Sequence, residues 1–136
     1  MSLHQAYPVE YTAPIRKQLQ EHKVQELLTP EDVLEVLKQE RVLVLINSVC
    51  GCSATNARPA LYAFMKEQPE VPVATVFAGV HHEATAELRK HIDQAPSSPS
   101  FAFFEKGKCT FFLARESIQG VDVQDILQNL LAVKSE

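Results

Sequence analysis

The sequence predicts an α/β protein: a mixed central sheet with helices on both faces and an N-terminal helical extension. Three observations carry this. Val42-Leu43-Val44-Leu45-Ile46 is apolar at every position, the pattern of a strand buried on both sides rather than one with a solvent face. Short strand-like runs alternate with segments of helical period along the chain, as layered sheets covered by helices require. Finally, two apolar runs are separated only by Lys106-Gly107, too short a link for a parallel crossover, so that pair is an antiparallel hairpin and the sheet is mixed.

Element by element, Pro14 to Leu28 places Ile15, Leu19, Val24, Leu27 and Leu28 among charged residues, an imperfect amphipathic helix that breaks near Lys23 into a short strand. Thr29-Pro30-Glu31-Asp32 is a helix start, with Thr29 as N-cap, Pro30 at the first helical position and acids in the first turn. That helix is expected to reach about Gln39, with Val33, Leu34 and Leu37 inward. The central strand 42–46 leads into a turn from Asn47 to Cys52. A helix from Ser53 to about Lys66 follows, with a kink expected at Pro59.

Val71 to Ala78 reads as a second strand, His82 to about Ile92 as a helix, and Gln94 to Ser100 as a loop with Pro96 and Pro99. The hairpin strands are Phe101 to Glu105 and Lys108 to Ala114. Val121 to Val133 closes the chain as an amphipathic helix, with Val123, Ile126, Leu127, Leu130 and Leu131 at helical spacing. No repeat, low-complexity tract or linker divides the chain, so residues 1–136 are expected to form a single domain.

Composition narrows the partners. A net charge of −4, with both signs interspersed, lacks the basic stripe of a nucleic-acid binder. The longest apolar run, Val42 to Ile46, is far below the roughly 20 residues of a membrane-spanning helix. Met1 to Leu19 contains Pro8, Glu10, Pro14, Arg16 and Lys17 where a secretory signal carries a continuous apolar core. A cytoplasmic protein is expected, with neither nucleic acid nor membrane as partner. Three cysteines are too few and too uneven for a secreted disulfide framework, and a close pair in a reducing compartment reads as redox or metal chemistry.

That pair is Cys50-Gly51-Cys52, at the carboxyl end of the central strand and the start of a helix, where sites in such sheets lie. Backbone N–H groups and the dipole at a helix N-terminus favour the thiolate, the reactive form. Gly51 permits a tight turn and leaves both sulfurs without a bulky neighbour. A disulfide between residues i and i+2 is expected to be strained, because the Cβ vectors diverge. Roughly 3 kcal/mol of strain would raise its two-electron potential by about 60 mV, toward exchange and isomerisation.

The competing readings are structural burial and metal binding. Burial explains neither the second Cys nor the Gly beside it, and zinc usually needs four ligands where this segment supplies two, so that Cys109 and a histidine would complete the set only if the fold brings them together. Cys109, in phase with Phe111 and Leu113, reads as a core residue rather than a resolving thiol. His82 reads as solvated surface, His81 offers weak support for a catalytic base, and Arg58, about two turns into the active-site helix, could face the thiolate region, although a surface ion pair is the favoured reading.

The run Asn47-Ser48-Val49-Cys50-Gly51-Cys52-Ser53-Ala54, followed by Ala57-Arg58-Pro59-Ala60, resembles the signature of the bacilliredoxin family. So do Val76-Phe77-Ala78-Gly79, Glu83-Ala84-Thr85-Ala86, Ala95-Pro96-Ser97-Ser98-Pro99-Ser100 and Ile118-Gln119-Gly120, so the likeness spans nearly the whole chain. The resemblance implies a single thioredoxin-like domain that removes bacillithiol, a small thiol, from the cysteines of other proteins. Some family members look like weak disulfide isomerases.

Carried over by the same resemblance, Cys50 is the attacking cysteine and Cys52 its partner. Pro96 and Pro99 compete for the place of the proline that thioredoxin-like proteins hold in cis, and Pro99 is preferred because a strand starts directly after it; Gly51, Ser98 and Pro99 are expected to contact the substrate. No tightly bound cofactor is implied. Bacillithiol is the thiol co-substrate, and bacillithiolated or disulfide-bearing client proteins are the partners. A general disulfide isomerase or oxidoreductase, or a non-catalytic binding or metal module, is the alternative.

Overall fold

The structure is a computed structural model that describes residues 9–48 and 53–134. Its elements in order are α1 (Val9–Glu21), β1 (Gln25–Glu26), α2 (Pro30–Val36), β2 (Arg41–Asn47), α3 (Arg58–Glu67), β3 (Val73–Phe77), α4 (His82–Arg89), β4 (Ser100–Glu105), β5 (Lys108–Leu113) and α5 (Val123–Lys134). Among the described residues the five strands form one sheet in the order β1-β3-β2-β4-β5. The pairs β1–β3 and β2–β3 are parallel, whereas β2–β4 and β4–β5 are antiparallel. β2 is the central strand and is buried from Val42 to Asn47.

Alternation along β2 divides the core in two. Leu43 and Leu45 face a cluster built with Leu19 of α1, Leu61 and Phe64 of α3, and Ile126, Leu127 and Leu130 of α5. Val42, Val44 and Ile46 face the other cluster, with Val33 and Val36 of α2 and Ala84 and Leu88 of α4. The layers are therefore three helices, sheet, two helices, which is the period-2 burial that an all-apolar strand demands.

Boundaries shift for local reasons. α1 starts earlier than expected and runs through Pro14, then stops at a turn where Lys23 has φ 66°; the short strand Gln25–Glu26 follows, as the break near Lys23 suggested. Arg16 fixes α1 to that strand through Nε, which donates to Glu26 Oε2 at 2.6 Å. β3 begins after Pro72, whose carbonyl accepts from Leu43 N at 3.0 Å. α5 begins at Val123 because Asp122 caps it, its carboxylate accepting from Gln124 N at 3.2 Å. A single 3-10 turn at Arg115–Ser117, unforeseen in the sequence, joins β5 to that helix.

α2 carries the expected cap but is one turn shorter than predicted. Thr29 Oγ1 accepts from Asp32 N at 3.1 Å while the Asp32 carboxylate accepts from Thr29 N at 3.3 Å, a reciprocal capping box. Within it Leu34 is 46% exposed, contrary to its predicted inward position, and Val36 is buried at 1% instead. Residues 33, 36 and 37 share a helical face, whereas 34 lies about 100° round from 33. Thr29→Ala is expected to cost about 1 kcal/mol of stability, read as a lower urea midpoint with unchanged slope; an unchanged midpoint would show that the cap contributes nothing.

The hairpin corrects one expectation about a thiol. Lys106 (φ 53°) and Gly107 (φ 83°) make the two-residue turn with both φ positive. Beyond it Phe104 pairs with Cys109 but Phe103 pairs with Phe111, leaving Thr110 as a bulge. One extra residue reverses the alternation, so Cys109 packs on the α2/α4 side while Phe111 and Leu113 pack on the other. Cys109 is thus out of phase with the residues it was grouped with, although still half-buried, and burial pushes its thiol pKa up.

Candidate functional site

β2 delivers the chain to the site and β4 flanks it. Cys50, Gly51 and Cys52, to which the sequence assigns the chemistry, lie outside the described residues, so the site is built from what surrounds them in the chain. Asn47, the last residue of β2, is fully buried. Its carbonyl accepts from Ala78 N at 3.1 Å, and its side-chain Oδ1 accepts from Ser48 N at 2.9 Å. The strand end is thereby tied both to β3 and to the next residue.

On the far side of the cysteines the chain does not enter a regular α-helix. Ser53–Ala57 form a wider, π-type turn, and α3 begins only at Arg58. Pro59 therefore sits in the first turn of α3, where a missing N–H is harmless, rather than in a helix interior, and the expected kink takes the form of this π turn. Asn56 Nδ2 donates to the carbonyl of Val121, which ties the turn to the loop before α5. That loop is anchored by the fully buried Ile118.

Arg58 departs furthest from its sequence reading. It is 7% exposed rather than a surface residue. Its Nη1 donates to Asn47 Oδ1 and to the carbonyl of Ser48, each at 3.3 Å. Sequence reasoning favours the surface ion pair over the inward alternative because ordinary helical periodicity makes no allowance for a π turn, which adds a residue and rotates every later side chain.

The Ser98–Pro99 bond is cis, as the resemblance implied. β4 pairs with β2 up to Ser100 opposite Ile46, so Pro99 and Ser98 come one and two residues beyond that pair, at the level where β2 leaves the sheet. Ser100 Oγ donates to the Ser97 carbonyl at 2.9 Å, and Ser97 Oγ accepts from Arg115 N at 3.3 Å, which holds the proline segment from both ends.

The remaining candidates do not join this group. His82 is exposed, whereas His81 is partly buried with Nδ1 lacking a hydrogen-bond partner. Burial pushes the His81 pKa down, and the charge of Arg16 adds to that effect. Cys109 pairs with Phe104, which pairs with Val42, about 16 Å along β2 from Asn47. Among the described residues no three His, Cys, Asp or Glu side chains converge on a point that would hold a metal, and no helix is long and apolar enough to cross a membrane.

Comparison with known proteins bears on both fold and family. A family model described as disulphide isomerase matches residues 7–136. A bacilliredoxin of Staphylococcus haemolyticus is 39% identical over 136 residues, covering 96% of this chain and 94% of the relative. A bacilliredoxin of Staphylococcus aureus is 40% identical with the same coverage. Among solved structures, thioredoxin from Trypanosoma brucei brucei superposes with a TM-score of 0.65 at 17% identity, covering 83% of this chain and 92% of that one. Thioredoxin from Fasciola hepatica gives 0.56 at 25% identity, covering 71% and 98%. The fold is that of thioredoxin.

Proposed function

The chain belongs to the bacilliredoxin family of thiol-disulfide oxidoreductases, and from that premise we propose that it removes bacillithiol from protein cysteines by exchange at Cys50. The observation that carries this reading is the identity of about 40% across nearly the full length of proteins described as bacilliredoxins. Its clients are proteins bearing mixed disulfides. The Cys50 thiolate attacks the bacillithiol sulfur of the mixed disulfide; a new sulfur–sulfur bond forms to Cys50, the old one breaks, and the client departs as its thiolate. Cys52 then attacks the Cys50 sulfur, forming the 50–52 disulfide and releasing bacillithiol, or a second bacillithiol attacks the bacillithiol sulfur, forming bacillithiol disulfide and freeing the Cys50 thiolate. Either route leaves two electrons to be returned by a cellular thiol reductant, which suits the reducing cytoplasm.

In this scheme no bound cofactor is needed, and bacillithiol is co-substrate. Gly51 keeps the approach to the sulfurs open, while Ser98 and Pro99 offer backbone to an extended client segment. A second reading, protein disulfide isomerisation, is favoured by the description of the matching family model. One comparison separates them. The reduced protein is given a bacillithiolated client or a scrambled disulfide protein under one set of conditions, and product is followed by mass spectrometry. Faster loss of bacillithiol is expected; faster repair of the scrambled protein, with the adduct untouched, would replace the first reading by the second.

A further inference from the structure

A charged residue is fixed beside the cis-proline segment. Arg115 N donates to Ser97 Oγ at 3.3 Å, one residue before Ser98 and two before Pro99. The Arg115 carbonyl accepts from Ile118 N at 2.9 Å and from Gln119 N at 2.8 Å, and its Nε donates to Gln119 Oε1 at 2.9 Å. Ile118 is fully buried, so the turn that carries Arg115 is anchored in the core as well as to the proline segment. We propose that Arg115 is a specificity-determining residue: it selects client segments that carry a carboxylate close to the cysteine to be exchanged. The inference rests on the reading of Ser98 and Pro99 as the backbone along which a client lies.

The guanidinium has the donors for this and no acid to satisfy them. Nε uses one of its five N–H groups, and the four on the two Nη atoms have no acceptor among the described residues. Arg115 is exposed and makes no ion pair among the described residues, although Glu116 follows it directly and Asp122 lies in the same loop. The Asp122 carboxylate is used at the start of α5 instead, accepting from Gln124 N at 3.2 Å. Two Nη groups in one plane match the two oxygens of a carboxylate. The Gln119 bond holds that plane before a client arrives, so less freedom is lost on binding.

Charge over the whole chain does not supply this preference. The net charge is −4, which at long range repels an acidic client. Attraction therefore comes from a local contact, within about 8–10 Å at physiological ionic strength. An exposed ion pair is weak, so the discrimination is several-fold rather than orders of magnitude.

The test uses a pair of peptides whose single cysteine is held as a 2-thiopyridyl mixed disulfide, identical except that both residues flanking it are Glu in one and Lys in the other. A thiolate of the reduced protein attacks the peptide sulfur, forms the mixed disulfide with the peptide and expels pyridine-2-thione, whose absorbance gives the rate. Each rate is divided by that of 2-mercaptoethanol with the same peptide, which removes the peptides' own reactivity. Wild type is expected to react about fivefold faster with the Glu peptide, and about twofold faster in about 0.5 M salt. Arg115→Ala is expected to bring the ratio to one or below, and Arg115→Glu to favour the Lys peptide. Gln119→Met, which releases Nε, is expected to lower the ratio to about twofold. A merely structural role for Arg115 would slow both peptides alike and leave the ratio unmoved. A wild-type ratio near one, or a fivefold ratio kept in Arg115→Ala, would overturn the proposal. So would a wild-type ratio that salt does not lower, even if the variants fail to fold. The probe holds no bacillithiol: a protein that shows this ratio yet leaves bacillithiolated clients intact loses the functional reading, and that of Arg115 stands.

Discussion

Cys50→Ser is expected to abolish removal of bacillithiol from a client protein, whereas Cys52→Ser is expected to perform the first exchange and stop as a stable mixed disulfide on Cys50. The asymmetry follows from the chemistry. Attack on a mixed disulfide needs one thiolate, and a serine hydroxyl at neutral pH supplies no comparable anion. Clearing the product needs a second thiol, which Cys52→Ser lacks unless solution supplies one. Mass spectrometry of each variant after incubation with a bacillithiolated client shows both results: an unmodified Cys50→Ser beside an intact client adduct, and a Cys52→Ser protein heavier by one bacillithiol beside a freed client. Demodification by Cys50→Ser at the wild-type rate would refute the mechanism. An inert Cys52→Ser would mean that the dithiol acts already in the first step, which favours isomerisation.

The largest expected effect on stability is that of Phe64→Ala. Phe64 is fully buried on α3, in the cluster that joins α1, α3 and α5 to the sheet. Truncation removes transfer free energy and leaves a cavity that close-packed neighbours fill only partly, a loss of about 3–5 kcal/mol. Domains of this size have about 5–15 kcal/mol in all. Urea denaturation is expected to show a correspondingly lower midpoint with little change in slope, and Phe64→Leu a smaller loss. A loss below about 1 kcal/mol for the alanine variant would mean that α3 relaxes to close the cavity. Because α3 also carries Arg58, the same variant is expected to loosen the hydrogen bonds from Arg58 to Asn47 and Ser48.

Much of this molecule is legible without coordinates. The all-apolar run from Val42 to Ile46 fixes a central strand, because only a position covered on both faces tolerates no polar alternation. Thr29 with Asp32 marks the start of α2, and Lys106-Gly107 marks the hairpin, since both are decided by local hydrogen bonding and backbone sterics. The pattern of residues 47–60, together with the motif around Pro99, identified both the family and the cis bond.

What the sequence could not supply turns on single residues inserted against a regular period. Thr110 is accommodated as a bulge only because β4 sets the pairing of β5 on both sides of it, and that extra residue moves Cys109 to the opposite face from Phe111. The π turn at Ser53–Ala57 forms where Asn56 reaches the Val121 carbonyl, 65 residues away in sequence. It rotates α3 so that Arg58 is buried against Asn47 rather than solvated. Sequence by itself determined the order of strands and helices, the two-sided core and the cysteine pair, because each depends on neighbours within a few positions. Tertiary structure alone decided which way Cys109 and Arg58 point, because a one-residue insertion reverses a strand's facing or turns a helix by about 100°, and only distant pairing partners determine where it is absorbed.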